Sequence, residues 1–561
     1  MNSEHNSPRD SISDSALDVS SDPNMHHPNQ LVLKEHPSEE TESPLSHIIS
    51  RRSSVSRRIT GAERIFRRAS TLSSPLPRMG EGKDYPPELP ERLPYEVSFD
   101  GPDDPTHPFN WSWRTKFYIS FACCITALAV TMGSAMFAAA QPSLMYLYNI
   151  GWTTSALATS LFVFGFASGP IIWGPLSEVY GRKTPLLISN FGFVCFSFAV
   201  ATGKDIQTIL ICRFFAGFIG AAPLVIVPAI FADLFNEKVR SKALAIFAMA
   251  LFGGPMIAPL MGGFTVKNDD LGWRWTGYFI AIVGSLGFIL CCFIKETFAD
   301  VILMDKAEVL RRRTGIWGIY APHEEVKLSI SEIAENQVSR PIKMLFTEPI
   351  LFLISLYNAF VYGLLYMFLT AIPLIFTGTY GWSAGVGELP YIAMFIGSLI
   401  GGVICFAFEF RNQKIVNRTG KPSTPEAALL PIMVGSISFT IGIFWLGWAG
   451  GFGPKVHWIV PTLGAVPIGI GLITIFLPCL VYIIDCYFVV SASAVAGNTF
   501  LRSSFGAAFP LFSKQMFENM KIKWASTMIG CIAAVLIPVP FLFYRYGPAL
   551  RRKSQYCAAL D

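Results

Sequence analysis

The sequence predicts an all-α integral membrane protein with twelve transmembrane helices, and three observations carry that prediction. Of its 561 residues, 52% are hydrophobic and only 15% charged, against about 25% charged in soluble domains. The apolar residues come in long runs, such as "FYISFACCITALAVTMGSAMFAAA" and "TMIGCIAAVLIPVPFLFY". Runs of that kind match the roughly 20 residues needed to cross a hydrocarbon slab about 30 Å thick. Basic residues, finally, gather in alternate loops, the pattern expected of a chain threaded through a membrane by the positive-inside rule.

Residues 1–113 are rich in Ser, Pro, Glu and Arg without an apolar period, and read as a disordered cytosolic N-terminal tail. Within them "RRSS", "RRIT" and "RRAS" place Ser54, Thr60 and Ser70 after paired arginines. Basophilic kinases favour that pattern, and a phosphate there would pair with the arginines beside it. The same arginines also suit a solvated basic tail drawn to anionic lipid. No secretory signal is read in this polar stretch.

Twelve apolar spans follow near 116–139, 153–173, 185–202, 207–232, 243–264, 274–294, 349–376, 388–408, 429–448, 458–482, 489–512 and 525–545. Six fall within 114–295 and six within 348–546. The segment between them, 296–347, opens on "TFADVILMDKAEVLRRRTG". Its helical spacing and alternating charge predict an amphipathic cytosolic linker lying against the bundle or the membrane face. Residues 547–561 are a short cytosolic tail. With the N-terminus cytosolic, Arg182, Lys183, Arg240, Lys242, Arg411, Lys414 and Arg418 fall in inner loops, and an even number of spans returns the C-terminus to the same side.

Composition also excludes. The net charge is only +5 and its cations are spread over loops, so nothing supports nucleic-acid binding. Histidines lie mostly in the tail, and no His/Cys/acid cluster has metal-ligand spacing. A membrane-embedded enzyme would need paired carboxylates, a His cluster or a nucleophile with its base inside the spans, and none is visible. Most cysteines lie in apolar runs, where they act as small hydrophobes.

The polar residues that break the apolar runs are the candidate functional groups. "GPLSEVYGRK", Gly174 to Lys183, is a charged turn between spans 2 and 3. Gly174 permits close helix approach, Glu178 closes span 2, Gly181 supplies the turn, and Arg182 opens span 3. Arg213 lies inside span 4, where insertion costs about 2.5–3.5 kcal/mol, so it needs a partner or a water-filled cavity. Gly254, Pro255, Pro259, Gly262 and Gly263 make span 5 a bent helix with a bare face, able to seal across a bundle interface. Arg502 in span 11 repeats the problem of Arg213, and Asp485 near the inner end of span 10 is its expected partner at an inner gate. Gln141, Asn190, Asn358 and Tyr362 offer polar handles for a cavity, among 46 phenylalanines that suit bulky amphipathic substrates. No Asp or Glu lies deep in a span, which speaks against a polycation as the main substrate.

The pattern Gly-x-x-x-acid-x-x-Gly-Arg-Lys at 174–183 resembles the loop 2–3 signature of the major facilitator superfamily. Glu178 stands where Asp is more usual and Val179 where a basic residue is frequent. "RFFAGFIGAAP", Arg213 to Pro223, resembles the motif that buries an arginine among small residues in the proton-antiport branch. "GPMIAPLMGG", Gly254 to Gly263, resembles that branch's antiporter motif, with Ala258 in place of a usual Gly. "PFNWS" at 108–112, the linker and the run Tyr482 to Phe512 resemble the fungal drug:proton antiporters, the multidrug and polyamine transporters.

That resemblance covers about 108–554. It implies two six-helix bundles related by a pseudo-twofold axis along the membrane normal, rocking about a midplane site. The implied function is proton-coupled export of small amphipathic organic compounds, with polyamine export or nutrient import as alternatives. It implies no enzyme activity and no cofactor beyond the proton gradient. The expected partners are a small-molecule substrate, protons and the bilayer, for a monomer in the plasma membrane or, alternatively, the vacuolar or another internal membrane. The resemblance links Arg213 to proton transfer and span 5 to restraining leak, and makes Glu178 and Arg182 an inner latch.

Overall fold

In lipid a backbone has no hydrogen-bond partner but itself, so each apolar run must close its bonds as a helix. The computed structural model of the chain describes residues 78–83, 93–325, 339–420, 424–487, 490–552, 554, 556 and 557. Ser54, Thr60 and Ser70 lie outside them. Among the described residues the chain is helical throughout its apolar part, with one isolated bridge, Glu96 to Tyr320, as its sole extended pairing.

Span 1 is Trp113–Met136, carried by a 3-10 turn into Gln141–Tyr148. Span 2 is Trp152–Ser168 and Pro170–Tyr180, bent by 42° where Pro170 can donate no backbone bond. Span 3 is Lys183–Thr202, span 4 is Ile206–Gly220 with Ala222–Leu234, span 5 is Glu237–Lys267 and span 6 is Arg274–Cys292. After the linker come span 7 (Pro349–Pro373), span 8 (Ala384–Gly387 and Pro390–Thr419), span 9 (Leu429–Gly451) and span 10 (Ile459–Cys486). The last helical run, Ser491–Arg551, holds 61 residues. At 1.5 Å per residue it would be roughly 90 Å long, about three times the slab. It breaks at Lys521, whose φ of 65° is left-handed, and so makes spans 11 and 12. The helices outrun the apolar stretches at several ends because polar residues continue them beyond the slab.

Two surfaces join the halves. Span 5 runs beside span 8, and span 11 packs on span 2. On the face away from the linker these contacts are tight: Gly385 abuts the Phe264 ring, and the Lys514 ammonium sits 4.7 Å over Trp152. At mid-depth the Tyr366 hydroxyl donates to Ser134 Oγ across the interface at 2.8 Å. Toward the linker face, span 11 follows Trp152–Ser168 and its contacts fade beyond the bend in span 2. Span 5 nevertheless stays beside span 8 toward the linker face: a Cβ on Gly402 would meet Met249 Sδ at 3.4 Å, and the Lys242 ammonium lies 5.9 Å over the Phe406 ring.

The linker helix, Ala299–Thr314, corrects one expectation and extends another. Its apolar face packs against the N-terminal segment. Met79, Tyr95 and Val97 cover it, packing against Ala307, Leu310, Ile319 and Ala321. Residues 93–112, expected as part of a structureless tail, are thus docked. The Val97 amide donates to the Tyr320 carbonyl and the Tyr320 amide to the Tyr95 carbonyl, both at 3.0 Å. A strip of three apolar residues is too short to show a period, which is why the pattern hid it. Lys306, buried beside this strip, donates to the Ser98 carbonyl at 2.9 Å and lies 3.8 Å from both Asp100 and Asp104.

Burial opposes the charge of Asp104. The Thr106 hydroxyl, the amides of Asp100 and Thr106, and Lys306 outweigh it and hold the carboxyl below the usual range. The stabilising charge is therefore fully present above the ordinary carboxylate pKa and is lost as pH falls through the lowered one. Hydrogen exchange at Val97 and Ser98 is expected to stay protected at neutral pH and to rise only below about pH 4. Asp104→Asn, which strips a buried lysine of one of its two equidistant carboxylates, should cost about 1–3 kcal/mol of local stability. It should expose 93–112 to limited proteolysis at neutral pH while the spans stay intact.

Candidate functional site

The turn between spans 2 and 3 is built around Gly181. Its φ of 83° is in the glycine region, and a Cβ there would lie 2.5 Å from Glu296 Oε2. That geometry aims the amides of Arg182 and Lys183 at the Glu296 carboxylate, at 2.8 and 3.0 Å. The amides of Thr297 and Phe298 complete its shell at 3.0 Å each. Arg182 is buried, pairs with Asp233 at 3.3 Å, donates to Ser177 Oγ at 2.9 Å, and rests 4.5 Å over the Phe298 ring. Gly174 is half-buried, its carbonyl accepting from Ser177 Oγ at 2.8 Å.

The carboxylates of this network are therefore Glu296 and Asp233. Glu178, expected to share it, is exposed on the outer side of span 2 between buried Ser177 and Val179. The network ties spans 2, 3 and 4 to the start of the linker, all within the first half. Glu296 escaped sequence reading because it lies 114 residues from Arg182, at an ordinary-looking span end.

Arg213 is buried at mid-span, only 2% exposed. Its Nε donates to the Ala158 carbonyl and one terminal nitrogen to the Gly133 carbonyl, both at 2.8 Å. The guanidinium lies between the Phe137 and Phe162 rings, at 4.8 and 4.3 Å. Spans 1 and 2 thus clamp it by carbonyls and ring faces. Among the described residues the ionisable side chain acting on it is Tyr366, with no carboxylate.

Span 5 uses its small residues in two directions. A Cβ on Gly254 would lie 2.2 Å from Thr131 Oγ1, and one on Gly262 would lie 2.8 Å from the Met136 carbonyl, so both face span 1 in the same half. Gly263 faces the other half: its Cβ would meet Glu388 Cγ at 2.8 Å and the Ala384 carbonyl at 2.9 Å. Pro255 and Pro259 are buried in the helix between them. Glu388, which the sequence places at a span end, is 5% exposed in this seam with one oxygen unbonded.

In the second half, the expected pair of Asp485 and Arg502 does not form. Arg502 lies at mid-span, its guanidinium over the rings of Tyr362 and Phe476 at 5.0 and 4.8 Å. Asp485 points outward at the linker-side end of span 10, with Glu409 of span 8 as its charged neighbour. The helical turns between their depths keep the two apart. Asn358 donates to Asn498 Oδ1 at 3.2 Å, joining spans 7 and 11, and the Tyr362 and Tyr366 hydroxyls stand 3.4 Å apart. These side chains gather around the midplane. Gln141 instead bonds Thr159 at 3.5 Å near the far face, and Asn190 is buried against Cys291 of span 6. Neither lines the space between the halves.

Two helical halves that meet along spans 5 and 8 and along spans 2 and 11, with cations buried at mid-depth, have the architecture of an alternating-access transporter. The sequence profile of the Major Facilitator Superfamily matches residues 123–510, and the chain belongs to that superfamily. It is 60% identical to "Major facilitator superfamily multidrug transporter FLU1" of Candida albicans over 91% of this chain and 84% of that one. It is 48% identical to "Multidrug transporter TPO1_2" of Candida glabrata over 87% of this chain and 84% of that one. Among solved structures, the proton:xylose symporter XylE bound to 6-bromo-6-deoxy-D-glucose superposes with a TM-score of 0.54 at 16% identity, over 78% of this chain and 96% of that one. That likeness concerns the fold.

Four backbone amides converge on Glu296, so its loss leaves them unpaired. Glu296→Gln should lower stability by at least ~2 kcal/mol, whereas Glu178→Gln should stay within ~0.5 kcal/mol. Thermal unfolding of the purified variants checks both.

Proposed function

We propose that the chain exports small amphipathic organic compounds, drugs or metabolites, in exchange for protons across the plasma membrane. The observation that carries this reading is the glycine seam of span 5, where Gly263 packs on Glu388 and Ala384 and closes the far face. With the basic loops and both termini cytosolic, a closed far face leaves loading to the cytosolic side. The multidrug names of the relatives support the substrate class. Closing the linker face and opening the seam would then release substrate outside. In that second state Glu178, unengaged here, becomes the free carboxylate of the inner latch.

Arg213 cannot release its proton at physiological pH, so its part is to set the field at the midplane through a fixed charge. A polyamine would bring its ammonium groups beside Arg213 and Arg502, a like-charge contact that weighs against that alternative. A sugar importer would need many fixed hydrogen-bond partners, and the lining here is mostly aromatic.

Arg213→Ala should abolish gradient-driven efflux in sealed vesicles at matched expression, and Arg213→Lys, which loses the planar fork, should also be impaired. Normal Arg213→Ala efflux with an unchanged pH profile would make Arg213 structural only. For the seam, Gly263→Val overpacks the contact with span 8 by about 1–3 kcal/mol. It should raise far-face labelling of an introduced cysteine and slow export; unchanged labelling would refute the seam's role in closure.

A further inference from the structure

We infer that the midplane holds an organic-anion site between spans 7 and 11, in which the Arg502 guanidinium receives the carboxylate of an amphipathic substrate. The inference rests on the export reading and adds the substrate's charge.

Arg502 differs from the other buried arginines. Arg182 has Asp233, Arg311 has Glu324 at 2.8 Å, and Arg213 has two carbonyls. Arg502 is 7% exposed, its Nε has no acceptor, and the ionisable groups acting on it are the phenols of Tyr362 and Tyr366. An uncompensated charge at this depth is costly, so the site is built for an anion that arrives with the substrate. The Tyr362 and Phe476 rings hold only the face of the guanidinium. Its planar edge, the part that pairs two-pronged with a carboxylate, is left unengaged.

The surroundings match such a ligand. Asn498 stands one turn before Arg502 on span 11 and has an unbonded Nδ2 donor. The hydroxyls of Ser355 and Ser503 are likewise buried and unbonded. Phe252, edge-on to Phe476 at 4.6 Å, extends the aromatic wall on which an apolar body would lie. The site is about 17 Å from the start of span 11, by the helical rise. No carboxylate competes for it among the described residues.

The test compares two xanthene dyes of similar shape, anionic fluorescein and cationic rhodamine 123. Their binding to the full chain in phosphatidylcholine nanodiscs would be followed by fluorescence anisotropy. The wild type is expected to prefer fluorescein. Arg502→Gln should lower the ratio of fluorescein to rhodamine affinity at least tenfold, and Arg502→Lys should lower it less. A wild type that binds no fluorescein, an unchanged ratio in Arg502→Gln, or an equal loss of both dyes would overturn the site. Gradient-driven efflux of fluorescein from vesicles is measured separately. If the anisotropy result holds while efflux ignores the gradient, the proton-coupled reading fails and the anion site stands.

Discussion

The cost of a charge in hydrocarbon governs how this molecule is put together. Each buried arginine meets that cost differently, and each solution ties particular helices together. Arg182 takes a carboxylate and a ring, which joins the turn after span 2 to span 4 and the linker. Arg213 takes two main-chain carbonyls and two ring faces, which clamps span 4 to spans 1 and 2. Arg502 has ring faces alone. The least compensated of the three is thus the one in the second half.

Close packing at glycine does the complementary work. Helices in lipid gain little from the hydrophobic effect and associate through dense contact between small residues. Span 5 has two such surfaces, one against span 1 within the first half and one against span 8 of the second half. Gly254 and Gly262 belong to the first and Gly263 to the second, so adjacent positions of one motif face different halves. Among the described residues Glu388 has no charged partner in the seam with span 8.

The linker face is organised by polar contacts that the spans do not need. The N-terminal segment covers the linker helix, Glu296 receives the turn amides, and Ser554 donates to Glu348 at 2.5 Å while Tyr487 donates to the same oxygen at 3.2 Å. All of these lie at or beyond the membrane surface, where both chain ends meet the joint between the halves. Movement of the halves must therefore be accommodated on the face where the linker and the tails are attached.

The span count, the break between halves, the depth of Arg213 and Arg502 and the glycine face of span 5 were all legible in the sequence. Each follows from local chemistry: apolar length sets a crossing, and a cation within that length is buried wherever the helix goes. Pairings were another matter. Glu178 and Arg182 are neighbours in the chain yet do not meet, while Arg182 and Glu296, 114 residues apart, share a network. Asp485 and Arg502 looked like partners from their order along the chain, but depth and helix rotation set them apart. Which groups touch depends on how twelve helices turn about their axes and where they bend, and that is decided by packing across the whole bundle, not by any one span.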